Sequence, residues 1–381
     1  MSQAPAGTDE DELNQAARKV LLDALIALDG HRDALTVVGA QAVYLRTTEA
    51  AISSASYTSD GDISIDPDVL GEQPLLEEAM YAAGFTLKLD KNGDRQVGLW
   101  ERTEQVGEVE VGVEVDLLVP ENLAPGSKKK RRTEMPPHDG WAAKKVPGLE
   151  VAAVDRSLMT ISSLTPQDDR SVEAYVAGPA ALLVAKAYTL HERVIDAEKG
   201  KTHRLSAKDA GDVYRIMVTF LPDQVAASFD TLCRDPRVGA VAAEGLHLLR
   251  QLFGAAATPG TELAVQALAG DIPERRIRAL VPSFVSSLAK TDAGSPAGAD
   301  SPSHRPPTLT RVTTTALRLT PPGSGESPAP GSASDQWPRR DPAAVLAPLT
   351  AVAASGMWCG GWWDSARALR AAPEAWPAAI L

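Results

Sequence analysis

The sequence predicts an α+β protein: an N-terminal mixed sheet with helices, then a C-terminal helical bundle and a disordered tail. Three observations carry that class. Residues 108–119 (EVEVGVEVDLLV) alternate, with Val109, Val111, Val113, Val115 and Leu117 on one face and Glu108, Glu110, Glu114 and Asp116 on the other, the period of a strand packed on one side. From Gly178 to about Ala289 the apolar residues recur instead at helical spacing. Beyond Lys290 the chain turns to Pro, Ser, Gly, Ala and Thr without periodicity, a composition that cannot bury enough apolar surface to offset chain entropy. The expected organisation is a disordered N-terminus at 1–10, a sheet domain at 11–168, a helical domain at 169–290 and a disordered tail at 291–381.

Taken in order, Glu12 to Leu28 presents Leu13, Ala17, Val20, Leu21, Leu25 and Leu28 on one face and reads as an amphipathic helix ended near Gly30. Thr36, Val37 and Val38 form a short β-branched run that meets Gly39, after which Ala40 to Arg46 is helix-like. A second strand follows the small-residue loop and carries Asp60, Asp62 and Asp66, with Ile63 and Ile65 opposed. Residues 75–83 read as a helix stopped by Gly84, 85–89 as a strand, 91–94 (KNGD) as a turn and 96–100 as the returning strand. Residues 149–154 and 158–164 read as two more short strands. The helical half is expected at 179–197, 206–220 with Ser206 as N-cap, 222–233, 238–252, 262–269 and 273–289. Five tryptophans in the tail, at 337, 358, 362, 363 and 376, have no assigned role.

Composition excludes several classes. Among 381 residues, 44% hydrophobic and 23% charged, no run approaches the ~18 apolar residues of a membrane span. The acidic N-terminus does not read as a signal peptide, and Cys233 and Cys359 are too few for a disulfide framework or a zinc site. A cytoplasmic protein is expected. The net charge of −12 argues against general nucleic-acid binding. The consecutive Lys128, Lys129, Lys130, Arg131 and Arg132, with Lys144 and Lys145 after them, form a local patch that can still attract a polyanion; an ordinary solvated loop explains them equally well.

Side chains two apart on a strand share a face, so Asp60 and Asp62 project together. Carboxylates that close repel unless a cation lies between them. Asp116, near the end of its strand, is a third acid placed to meet a cleft, with Glu114 as its rival on the same face. Each acid also has a plain reading as surface charge. In the helical half, Lys186 interrupts the stripe of Leu182 and Leu190, and Asp209 interrupts that of Leu205, Val213, Ile216 and Phe220. A charge on a packing face is costly unless paired. Either both face a cleft between the halves, or they pair with each other. Arg46 and Arg193 are weaker candidates for a phosphate.

The strand–Gly39–helix turn, the Asp60-Gly61-Asp62 triplet and the later Asp116 resemble the nucleotidyltransferase superfamily related to DNA polymerase β. More narrowly, with Lys208-Asp209-Ala-Gly-Asp212 in the helical half, the chain resembles AbiEii/MenT-type toxin nucleotidyltransferases over about residues 20–220. The resemblance implies a nucleotidyltransferase-like sheet domain and transfer of a nucleotidyl group from an NTP to an acceptor hydroxyl. It implies Asp60, Asp62 and Asp116 as catalytic ligands of two Mg²⁺ ions, and Gly39, Ala40, Gln41, Lys186 and Asp209 as nucleotide contacts. The acceptor would be an RNA end, tRNA in the toxin group, guided by Lys128–Arg132, and a cognate antitoxin protein would be a partner. Ala40 stands where the superfamily has Ser or Gly, and Asp60 lies further from Gly39 than is typical. Adenylyl transfer to a small molecule, or a catalytically silent relative that binds a nucleotide or a protein, are the alternatives.

Overall fold

The computed structural model describes residues 9–48, 58–126, 131–202 and 205–288. All fall in one compact unit, Met1–Asp300; a second, Ser301–Leu381, lies outside the described residues, as do the expected disordered tail and residues 1–8. The class is α+β with a mixed sheet.

Helix α1 (Glu10–Ala27) starts two residues before the expected Glu12. Asp9 caps it, its Oδ1 accepting from Asp11 N at 2.8 Å, and Glu10, Asp11 and Glu12 sit in the positive first turn. Leu13, Ala17, Val20, Leu21 and Leu25 are buried on the sheet. Strand β1 (Leu35–Val38) is buried throughout and runs directly into α2 (Gly39–Arg46). The remaining strands are β2 (Asp60–Ile65), β3 (Thr86–Leu89), β4 (Arg95–Val106), β5 (Val109–Pro120), β6 (Lys144–Val146), β7 (Arg156–Ser162) and β8 (Ser171–Ala177), with α3 (Leu76–Ala82) before β3.

The sheet order is β3-β4-β5-β2-β1-β8-β7, with β6 added on β5. Pairs β2–β5, β1–β8 and β5–β6 are parallel; β1–β2, β3–β4, β4–β5 and β7–β8 are antiparallel. One face is apolar: Ile63, Ile65, Val113, Val115 and Leu117 are buried there, and Gly61 completes it. A Cβ on Gly61 would stand 3.2 Å from Leu21 of α1, so the residue between Asp60 and Asp62 must be small for that helix to seat. The other face carries the acids.

Three expectations need correction. Residues 149–154 are not a strand but a 3-10 turn (Glu150–Ala153). Buried Glu150 holds it, Oε2 accepting from Gly148 N at 2.9 Å and Oε1 from Asn122 N at 2.8 Å; such side-chain bonds compete with a ladder. The sheet also runs past residue 168, because β8 pairs with β1 as well as β7, so the boundary expected there falls inside a hairpin. Six helices follow among the described residues: α4 (Pro179–Glu198), α5 (Lys208–Thr219), α6 (Pro222–Leu232), α7 (Gly239–Phe253), α8 (Pro259–Ala267) and α9 (Glu274–Leu288). Ala207, not Ser206, occupies the cap of α5. Helices α4 and α5 pack on α2, which brings the helical half against the acidic side of the sheet. No helix among the described residues is long and apolar enough to cross a membrane.

Candidate active site

Three carboxylates meet where β1 ends. Asp62 pairs in register with Val38 of β1 on one side and with Asp116 of β5 on the other, while Asp60 stands opposite Glu114. Parallel register therefore does what sequence alone could not: it sets Asp62 and Asp116 side by side. Thr58 Oγ1 donates to Asp60 Oδ1 at 2.5 Å. Lys144 Nζ donates to Asp116 Oδ2 at 2.6 Å, while Asp116 Oδ1 is buried without a hydrogen-bond partner. Glu114 is engaged by Lys88.

Gly39 makes this approach possible. Its φ is +66°, and a Cβ there would lie 1.9 Å from Asp62 Oδ2, so a glycine is required both by the backbone and by the carboxylate. The first turn of α2 has no acidic residue and no side-chain cap, which leaves the backbone amides of Gly39, Ala40 and Gln41 to other acceptors. Ala40 and Gln41 are themselves buried; Gln41 Oε1 accepts from Arg18 Nε at 3.0 Å, and its Nε2 is buried and unpartnered.

Burial, then the charges of Asp60 and Asp116, push the Asp62 carboxyl up to about 8, against the opposing pull of Lys144 and Lys186. Burial also raises Asp116, helped by Asp60 and Glu114 and opposed by Lys144. The group is short of positive charge. Its donor chemistry fits a hard divalent cation such as Mg²⁺, which prefers carboxylate oxygens, and the unpartnered Oδ1 of Asp116 is a free ligand atom. As the side chains stand, no three acid, His or Cys groups among the described residues enclose an ion; the third acid is drawn to Lys144 instead.

The helical half brings its two out-of-pattern charges together. Lys186 Nζ donates to Asp209 Oδ1 and to Asp212 Oδ2, each at 2.7 Å, and Arg193 also engages Asp209. Burial alone would lower Lys186, but Asp209 and Asp212 outweigh it and hold the ammonium above its usual range. Burial likewise opposes ionisation of Asp209, yet Lys186 and Arg193 bring it below normal. Asp212 is fully buried and shifted up by desolvation, with Oδ1 unpartnered. Burial, then Asp212, raises the Tyr44 hydroxyl of α2 against the pull of Lys186 and Arg215, with a smaller push from Asp60, and Arg215 lies 5.5 Å from its ring centroid.

Arg46 donates to Val176 O at 2.6 Å and Ala177 O at 3.0 Å and ties α2 to β8. Of the basic run, Lys128–Lys130 lie outside the described residues. Arg131 and Arg132 are exposed, the latter 3.5 Å over the Trp141 ring. Sequence reasoning missed Lys144 and Thr58 as partners of the acids and treated Asp212 only as part of a motif. Asp212 had a signal, since it lies i+3 from Asp209 on one helix face.

No family model matches the chain, and no curated protein matches it. Among solved structures the chain is similar to a crystal structure described as "putative nucleotidyltransferase from H. pylori", at 12% identity and a TM-score of 0.26, over 74% of this chain and 98% of that one. At that score the functional reading rests on the chain's own residues.

Proposed function

We propose that the chain is a Mg²⁺-dependent nucleotidyltransferase that moves a nucleotidyl group from an NTP to an acceptor hydroxyl. One observation carries the reading: Asp62 lies beside Asp116 on parallel strands, with Asp60 on the same face and Gly39 opening a helix against them. Asp60, Asp62 and Asp116 would hold the metal, which when bound neutralises phosphate charge and favours ionisation of the attacking hydroxyl.

The protein's own groups account for the remaining steps. The amides of Gly39, Ala40 and Gln41 at the start of α2 offer phosphate oxygens the donors that no side chain takes. Asp116 would take the hydroxyl proton on the carboxylate oxygen that the metal does not hold, and burial raises its basicity. Lys186 and Asp209 are a bonded pair on helices that pack on α2; the ammonium would leave Asp209 to reach a triphosphate, or would stay and fix α4 on α5. We further propose an RNA end, tRNA foremost, as the acceptor, reached along the basic segment at 128–132, in a cytoplasmic toxin held in check by an antitoxin protein. A catalytically silent relative is favoured by one fact, that Lys144 already bonds the third acid.

Incubation with each labelled NTP and total tRNA tests the reading. Label on RNA with at least one NTP, lost in Asp60→Ala/Asp62→Ala, is expected. No label with any NTP would exclude the RNA acceptor, and label that survives the double substitution would exclude these acids.

A further inference from the structure

Lys144 reaches Asp116 through a built feature of the sheet. Strand β4 pairs with β5 as far as Leu99 opposite Asp116. There Gly98, with φ +69°, turns β4 aside and its N–H donates to Trp141 O at 2.9 Å. The edge of β5 that β4 leaves is taken by β6, with Lys144 opposite Leu118. A Cβ on Gly98 would stand 2.5 Å from Lys144 N and 2.6 Å from Leu117 O, so the hand-over is tight and fixes where Lys144 begins. Alternation along β6 does the rest. Lys145 is buried and its Nζ donates to Pro125 O at 2.8 Å, while Lys144 projects to Asp116 with its side chain only 18% exposed. Among the described residues, Lys144 is the cation that forms an ion pair with Asp60, Asp62 or Asp116.

We propose that Lys144 is a tethered counter-ion that competes with the divalent cation for Asp116 and yields it when a phosphate anion arrives to receive the ammonium. This rests on the nucleotidyltransferase reading and adds a residue to it. An ammonium on a fixed strand is always present at high effective concentration, so a cation approaching the free Oδ1 of Asp116 alone meets a carboxylate already neutralised at Oδ2 and is repelled by the ammonium held there. A cation that enters with a triphosphate supplies the ammonium with a new partner. Lys144 thereby makes metal and nucleotide binding cooperative, and keeps Asp116 neutralised between turnovers.

Mn²⁺ titration followed by electron paramagnetic resonance, with metal as the sole ligand, tests this on the full chain. Lys144→Met should bind Mn²⁺ roughly ten-fold more tightly than wild type, the gain expected on removing a competing charge-assisted bond that is largely shielded from water. Lys144→Arg, which keeps the charge, should stay near wild type. Lys144→Gln should follow Lys144→Met and serves if that variant does not fold. Unchanged or weaker Mn²⁺ binding in both neutral variants, with wild-type binding still lost in Asp62→Asn, would overturn the role of Lys144 and leave the metal site standing. Binding in wild type no different from Asp62→Asn would overturn the metal site itself, and the proposal with it.

Discussion

Replacing Asp62 by Asn should stabilise the metal-free protein, and more so at high pH. In the unfolded chain this carboxyl ionises near 3.8, whereas in the folded protein it is held up to about 8 by burial and by Asp60 and Asp116. Between those values the native state binds the extra proton, so raising the pH favours the unfolded chain; the penalty grows from about pH 4 to about pH 8 and is then constant. A full shift of that size sets a ceiling of about 6 kcal/mol, at about 1.4 kcal/mol per pKa unit. Asp62 shares its charge balance with two other acids, so about 2 kcal/mol is the working figure. Asn has the shape of the protonated acid and no ionisation, and should recover that amount. In EDTA, thermal denaturation should show Asp62→Asn about 4–8 °C above wild type at pH 9. At about pH 4 the gain should be less than half as large. An equal gain at both pH values, or a lower melting temperature at pH 9, would refute the electrostatic account.

Gly39→Ala should cost about 2–3 kcal/mol in urea denaturation, from the positive φ together with the clash on Asp62. In an Asp62→Ala background the cost should fall to about 1 kcal/mol, and purely additive effects would show that the two residues do not touch. Lys186→Met leaves Asp209 and Asp212 facing each other without the ammonium and should destabilise by about 3–5 kcal/mol; a neutral result would mean the pair is not buried in solution. Replacing Lys128–Arg132 by Ser should flatten the salt dependence of RNA binding by about 0.7 in log–log slope for each phosphate no longer neutralised, and an unchanged slope would rule out the patch as the RNA guide.

The elements most legible in the sequence were those whose pattern is local and long. Residues 109–120 alternate over a whole strand, and α1, α4 and α7 repeat their apolar stripe over several turns. Strand β8 was missed although Ser171, Glu173 and Ala174, Val176 alternate between exposed and buried, because small residues blur the contrast just before the Gly178-Pro179 helix start. Three-residue β6 has no period to read. Its position comes from the turn-aside at Gly98 and from the edge of β5, neither of which is adjacent to it in sequence. Asp60 and Asp62 were legible as a pair because a two-residue period is local. That Asp62 stands beside Asp116 is a fact of register, which no stretch of the chain specifies alone. Lys186 and Asp209 were visible as charges on apolar stripes, and the structure pairs Lys186 with both Asp209 and Asp212.

Charge balance decides how a nucleotide would have to enter. The helical cluster is self-neutralising, with Lys186 and Arg193 against Asp209 and Asp212. On the sheet, Asp60, Asp62 and Asp116 have the ammonium of Lys144 as their ion-pair partner among the described residues, so full ionisation of the three acids would leave two negative charges unpaired. Burial, with Asp60 and Asp116 beside it, raises the Asp62 carboxyl and so favours its keeping a proton when no metal is bound. A triphosphate brought against these acids without a metal adds like charge and must be repelled, while a divalent cation both displaces that proton and attracts the phosphates. Calorimetric titration of the NTP should therefore show binding with Mg²⁺ and at least about ten-fold weaker binding in EDTA, the ratio for about 1.4 kcal/mol. Equal affinity in the two buffers would mean that basic side chains, and not the three acids, meet the phosphates.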